Sequence, residues 1–285
     1  MSLSIKNKPS NSGSLGDRAS IQLIAMDVDG TVLDSFGQPS PGIEKAIQAA
    51  CSRGVQIVLV SGRGVQGVLP VADRLHLEGT VIASGGAVTA STPAGTLIDH
   101  RPISLSWAIK LARLGHAEGV VVFFEHPDWM LCDQDGRAME DMTRSFGYEV
   151  TFVDDMTRSV PSAPSKVTMV GDPARLAHVI KLLNERKTPL TYLQTMPQFL
   201  DIQHKYVNKG RALQRLAQRL GIPMRRVMAV GDYYNDVDMF KAAGLSVAMG
   251  NAPLEVRQAA DLVAPANDEG GAAWAVMRAL NGVLG

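Results

Sequence analysis

Short, largely apolar runs alternate with segments of helical period at both ends of the chain. Ile21–Met26, Val55–Val60 and Val81–Ala83 have strand length, and Ile43–Arg53 and Val65–Leu75 between them repeat apolar positions at helical spacing. The pattern returns near the C-terminus: Lys209–Leu220 reads as a helix, Val227–Val230 as a strand, Val237–Ala243 as a helix and Leu245–Ala248 as a strand. Strands this apolar, joined by crossover helices, predict a doubly wound, Rossmann-like α/β core with a parallel sheet covered on both faces. From about Gly86 to Leu200 the character changes. Ala87–Ala90 and Thr96–Asp99 flank the turn Pro93-Ala94-Gly95 like a hairpin, and helical segments Ser104–His116 and Pro173–Arg186 are interspersed with strand candidates Val120–Phe124, Trp129–Cys132, Lys166–Val170 and Leu190–Gln194. An inserted α+β cap, a sheet with helices on one face, fits that order. The expected organisation is a core of residues 21–85 and 201–285, an inserted cap of residues 86–200, and a disordered tail of residues 1–20 rich in Ser, Asn, Gly and Lys.

Composition narrows the class. At 285 residues the chain can bury a sizeable core, and its 28 basic side chains balance its 28 acidic ones, which removes the general electrostatic case for nucleic acid or an acidic membrane. No uncharged apolar run approaches the ~20 residues that cross a bilayer, and the tail lacks the apolar centre of a secretory signal. A cytoplasmic protein is expected. Cys51 and Cys132 show neither a disulfide framework nor metal-ligand spacing. Homo-oligomerisation stays open.

In an open parallel sheet ligands bind at the carboxyl ends of strands, so polar residues that follow strand candidates are the first suspects. Four places qualify: Asp27-Val28-Asp29-Gly30-Thr31, Ser61-Gly62-Arg63, Lys209 at the start of a helix, and Gly231-Asp232-Tyr233-Tyr234-Asn235-Asp236. Singly, each has a bland explanation in turn or cap chemistry. Jointly they do not. Two carboxylates ~4 Å apart repel by ~4 kcal/mol at an effective dielectric of ~20, a conflict that a divalent cation resolves, and oxygen ligands without adjacent His or Cys favour magnesium with a substrate phosphate. Ser61 and neighbouring backbone N–H groups can donate to phosphate oxygens, and Lys209 supplies a compact positive charge. Asp27 can then attack phosphorus as a covalent nucleophile, and Asp29 can protonate the leaving oxygen and activate water. Gly30 lets the backbone leave the strand sharply, and the Thr31 hydroxyl can fix the loop or meet the phosphate.

The ordered set DVDGTVLD, VLVSGR, VNKGRALQRLAQRLGI and VGDYYNDVDMF, followed by VAMGNAP, resembles the haloacid dehalogenase superfamily, and specifically its Cof-type branch with an α/β cap, over nearly the whole chain from residue 21. The resemblance implies Asp27 as nucleophile, Asp29 as general acid and base, and Ser61 and Lys209 as phosphate ligands. It implies magnesium held by the side chains of Asp27 and Asp232 and the backbone carbonyl of Asp29. Asn235, Gly62 and Arg63 would lie on the phosphate or substrate side, and Asp236 would support the metal or Lys209 from behind. One stretch departs: many members carry Asn-Gly-Ala where this chain has Ser84-Gly85-Gly86-Ala87.

The expected activity is hydrolysis of a small phosphorylated metabolite, a sugar phosphate first and a phosphorylated cofactor or precursor, such as pyridoxal phosphate or a flavin precursor, second. A phosphomutase uses the same nucleophile, and a phospho-aspartate signalling module is the reading from another class, against which Asp29 argues. Within the insertion Glu125, His126, Asp128, Trp129 and Tyr192 are candidates for the substrate-facing surface, and His204 and Lys205 lie near its second junction.

Overall fold

The structure, a computed structural model, describes residues 20–140 and 149–282. Residues 1–19, which carry nearly all of the expected tail, lie outside the described residues. The strands are β1 (Leu23–Met26), β2 (Gln56–Val60), β3 (Gly79–Ala83), β4 (Val88–Thr92), β5 (Leu97–His100), β6 (Val121–Glu125), β7 (Met130–Asp133), β8 (Val150–Val153), β9 (Lys166–Val170), β10 (Leu190–Met196), β11 (Phe199–His204), β12 (Val227–Gly231), β13 (Leu245–Ala248) and β14 (Leu262–Val263). The described residues form two compact units, one up to Leu59 and again from Leu213, the other Val60–Ala212. No helix among them is long and apolar enough to cross a membrane.

The first unit is α/β. Its strands run in the order β14-β13-β12-β1-β2, each pair parallel. β1 lies between β12 and β2, with Met26 opposite Val230 on one side and Leu59 on the other. All four of its residues are buried, the physical reason its sequence is a continuous apolar run rather than an alternation. The helix Ile43–Ser52 buries Ile43, Ala46, Ile47 and Ala50, the spacing of one helical face. It packs against Gly271–Leu280, which turns Ala272, Ala275 and Val276 inward.

In the second unit β3, β4 and β5 form an antiparallel ribbon. A six-stranded sheet follows, in the order β10-β11-β9-β6-β7-β8. Alternation sorts its side chains by face. Val122, Phe124, Leu131, Val167, Met169, Leu200 and Ile202 join the buried cluster built with Leu111 of the helix Leu105–Glu118 and with Leu176, Val179 and Leu183 of the helix Pro173–Asn184. Phe123, Met130, Cys132 and Val170 form a smaller cluster on the other side. Sequence reasoning missed three strands, β8 and β11 here and the two-residue β14 of the first unit. β11 pairs with both β10 and β9, yet its sequence FLDIQH is neither a continuous apolar run nor a strict alternation. β8, VTFV, is four residues long and only partly buried.

Phe124 is fully buried at the centre of the larger cluster. Phe124→Ala is expected to destabilise the protein by ~3–5 kcal/mol through lost transfer energy and a residual cavity. A urea melt read by circular dichroism measures it; an unmoved midpoint would contradict the core assignment.

Candidate active site

In the first unit the candidate residues gather where adjacent parallel strands end. The Asp27 N–H donates to Val230 O at 2.9 Å, extending the β1–β12 ladder by one residue, and Asp232 follows the last residue of β12. Asp27, Asp232 and Asp236 each present a carboxylate oxygen, all within 4.8 Å of one another. Asp27 and Asp236 are buried and Asp232 is half-buried. Asp29 is exposed, and its side chain is outside that group. Its backbone belongs to a turn closed by the Leu33 N–H donating to Val28 O at 2.9 Å.

Each carboxylate is held by its own set of donors. Asp236 Oδ2 accepts the backbone N–H groups of Asp232 at 2.9 Å and Tyr233 at 3.0 Å, so the acid fastens the loop that carries Asp232. Thr31 is buried, and its hydroxyl donates to Asp232 Oδ1 at 3.1 Å. Two glycines make the approach feasible. Gly30 has φ +77°, and a Cβ there would collide with the Asp232 carboxylate, whose Cγ lies 3.0 Å away. A Cβ on Gly231 would stand 2.5 Å from Asp236 Cγ.

Asn251 is a residue that sequence reasoning missed. Its Nδ2 donates to Gly30 O at 2.9 Å and approaches Asp232 Oδ2 at 3.5 Å, while its Oδ1 accepts the Asn267 N–H at 3.0 Å. Asn267 in turn donates through Nδ2 to Leu33 O at 3.1 Å. The signal was present: Asn251 lies just beyond β13, at the strand end where ligand-side residues gather. Asn235 is half-buried, and its Oδ1 is a buried oxygen without a hydrogen-bond partner among the described residues. Such an atom is suited to accept from a bound group. Clustered carboxylate oxygens without His or Cys are the donor set of a hard divalent cation, so these residues fit magnesium.

The second unit holds the remaining candidates. Ser61 is fully buried just past β2, and its N–H donates to Ile82 O at 2.8 Å. Its Oγ accepts the Arg63 N–H at 3.0 Å. Gly62 and Arg63 are half-buried. Residues 84–86 clasp this loop: the Ser84 N–H donates to Arg63 O at 2.6 Å and the Gly85 N–H to Ser61 O at 2.9 Å. Lys209 is buried at the start of the helix Lys209–Arg219, just after Asn208, whose Oδ1 caps the first turn by accepting the Arg211 N–H at 2.7 Å. A buried cation in the first turn of a helix opposes both desolvation and the helix dipole, which suits a group whose partner is an anion.

Of the candidates in the insertion, Glu125 is buried and pairs with Lys166 at 3.3 Å. His126 stacks on Trp129 with ring centroids 4.8 Å apart and meets His100 edge-on at 5.2 Å. Burial, reinforced for His100 by the His126 ring, holds both imidazoles below the ordinary histidine range. Asp128 is exposed. Tyr192 donates its hydroxyl to Asn184, and Lys205 and His204 both lie against Tyr206.

A family model of haloacid dehalogenase-like hydrolases matches residues 24–276. YxeH of Bacillus subtilis is 32% identical over 265 residues, covering 90% of this chain and 97% of that protein. The 5-amino-6-(5-phospho-D-ribitylamino)uracil phosphatase YcsE of Bacillus subtilis is 29% identical over 266 residues, covering 90% of this chain and 94% of its own. A haloacid dehalogenase-like hydrolase from Bacteroides thetaiotaomicron shares the fold, with a TM-score of 0.83 at 24% identity over 90% of this chain and 99% of that one. The chain belongs to the haloacid dehalogenase-like hydrolases, among their Cof-type phosphatases.

The contacts of Asn251 to Gly30 and Asp232 give it a measurable role. With Asp232 as a candidate magnesium ligand, Asn251→Ala is expected to weaken magnesium binding ~10-fold, the usual cost of removing a group that orients a ligand carboxylate. Calorimetric titration of the wild type and the variant checks this; equal dissociation constants would contradict it.

Proposed function

We propose that the protein is a magnesium-dependent phosphatase of small phosphorylated metabolites that works through a phospho-aspartate on Asp27. The observation that carries this reading is the convergence of Asp27, Asp232 and Asp236, with carboxylate oxygens within 4.8 Å, at the carboxyl ends of adjacent parallel strands. When bound, magnesium supplies the positive charge that offsets these carboxylates and the transferring phosphoryl group. Asp27 and Asp232 would hold it by their side chains and Asp29 by its backbone carbonyl, with Asp236 behind them.

The residues divide the chemistry. An Asp27 carboxylate oxygen attacks phosphorus, the bond from phosphorus to the ester oxygen breaks, and Asp29 gives its proton to the departing alcohol. Asp29, now a carboxylate, takes a proton from water; that water attacks phosphorus, the Asp27–phosphorus bond breaks, and inorganic phosphate leaves. The exposure of Asp29 suits a group that must meet both leaving group and water. Ser61 donates to the phosphate oxygens, Lys209 neutralises them, and Asn235 lies on the phosphate or substrate side, where its buried Oδ1, without a partner among the described residues, can accept from a substrate hydroxyl. Gly62 and Arg63 follow the serine on the substrate side. The inserted cap segment that sets specificity, expected at residues 86–200 between core segments 21–85 and 201–285, is read with its edges moved by strand pairing, because β4 and β5 continue from β3 and β11 runs to His204 within the six-stranded sheet.

The substrate class is a sugar phosphate first and a phosphorylated cofactor or precursor second. YcsE, whose name places the phosphate on the ribityl chain of a substituted uracil, supports a small phosphorylated metabolite as substrate.

Release of inorganic phosphate from an aryl phosphate is expected to require magnesium and to fall by at least ~1,000-fold in Asp27→Asn. Asp29→Asn should lower turnover ~100-fold or more. Metal-independent turnover, or wild-type rates in Asp27→Asn, would sink the covalent reading. In a panel of phosphorylated sugars and phosphorylated cofactors or their precursors, kcat/KM should be highest on a sugar phosphate; a clear preference for a cofactor or precursor would reverse the order of the two classes.

A further inference from the structure

On the face of the six-stranded sheet turned away from its helices, the apolar cluster around Phe123 and Val170 gives way to polar residues at one end. Glu125 continues the line of Phe123 along β6, and Lys166 is its cross-strand neighbour on β9. Lys166 Nζ lies 3.3 Å from Glu125 Oε2 and 3.5 Å from Asp201 Oδ2. It also donates to the backbone carbonyl of Gly62 at 3.1 Å. A buried ion pair adds little net stability over well-packed apolar residues. Its contacts here suggest orientation instead.

Gly62 lies in the Ser61-Gly62-Arg63 loop. The Gly62 carbonyl and the Arg63 N–H belong to one trans peptide, so they point in opposite directions from one rigid plane. Lys166 grips the carbonyl end, and the N–H end donates to Ser61 Oγ at 3.0 Å. A glycine leaves its adjoining peptides unusually free to rotate, so this plane needs an external anchor to present one face to the serine. With Oγ accepting from Arg63, the Ser61 hydroxyl proton is directed elsewhere. Glu125 fastens the neighbouring loop as well. Its Oε1 accepts from Ser84 Oγ at 2.5 Å, and the Ser84 carbonyl accepts from Gln203 Nε2. Those contacts hold Ser84 at φ 48°, a strained value for a residue with a side chain, where its N–H reaches Arg63 O.

We propose that Lys166, with Glu125 as its partner, is a positioning residue that fixes the Gly62–Arg63 peptide and thereby aims the Ser61 hydroxyl at the substrate phosphate. This rests on the reading of Ser61 as a phosphate ligand.

The test is a double-mutant cycle in the full-length protein with magnesium, reading the inhibition constant of inorganic phosphate against hydrolysis of an aryl phosphate. Lys166→Met is expected to raise that constant ~10-fold, the scale of one hydrogen bond to a charged group. In a Ser61→Ala background the same change should shift it less than ~2-fold, because the effect passes through the serine. Glu125→Gln, which keeps side-chain volume, should show the same pattern at ~3-fold and decides the matter by the same criterion if Lys166→Met fails to fold. A shift equally large in the Ser61→Ala background, or no shift in either variant, overturns the proposal while leaving Ser61 as a ligand. An unchanged constant in Ser61→Ala alone overturns the phosphate role of Ser61 and this inference with it.

Discussion

Mutual repulsion of the three clustered carboxylates is the constraint on which the first unit's architecture depends. At the observed separation of up to 4.8 Å each charged pair would repel by at least ~3.5 kcal/mol at an effective dielectric of ~20, so a flexible scaffold would relax by moving them apart. The protein prevents that with rigid supports. Asp27 is tied to the end of a fully buried strand, Asp236 is held by two backbone N–H groups, and Asp232 is touched by Thr31 and Asn251. Gly30 and Gly231 keep side chains out of the space the acids occupy. This is preorganisation of negative charge, the condition under which a hard cation and a phosphate bind together.

The second unit solves a complementary problem, keeping a hydroxyl and an ammonium group poised in buried surroundings. Isolated burial of either would be costly. Ser61 is fixed through backbone contacts to β3 and the loop of residues 84–86, and Lys209 opens a helix whose first turn is capped by Asn208. The Lys166–Glu125 pair belongs to the same economy of polar contacts: charges that contribute little to net stability hold a glycine-containing loop in one conformation.

Much of this was legible in the sequence. The core strands and helices were readable because fully buried parallel strands are continuous apolar runs and crossover helices carry a 3.6-residue period, signals that need no partner to be seen. β11 was not, since Phe199 and Leu200 together break the alternation that Leu200-Asp201-Ile202-Gln203 would show, and pairing with β9 and β10 is what defines it as a strand. Asp27, Asp29, Ser61, Lys209 and Asp232 stood out because each follows a strand or opens a helix in a recognisable string.

The sequence by itself determined the α/β architecture, the reactive residue types and their order, because those depend on local periodicity and on short motifs. Tertiary structure alone decided that Asp236 stands with Asp27 and Asp232, that Asn251 bridges Gly30 and Asp232, and that Lys166 reaches Gly62. Each of those contacts joins residues dozens to hundreds of positions apart, or depends on a loop folded back on itself. Which side chains meet is set by sheet order, register and the turn of each loop, and a linear pattern carries none of these.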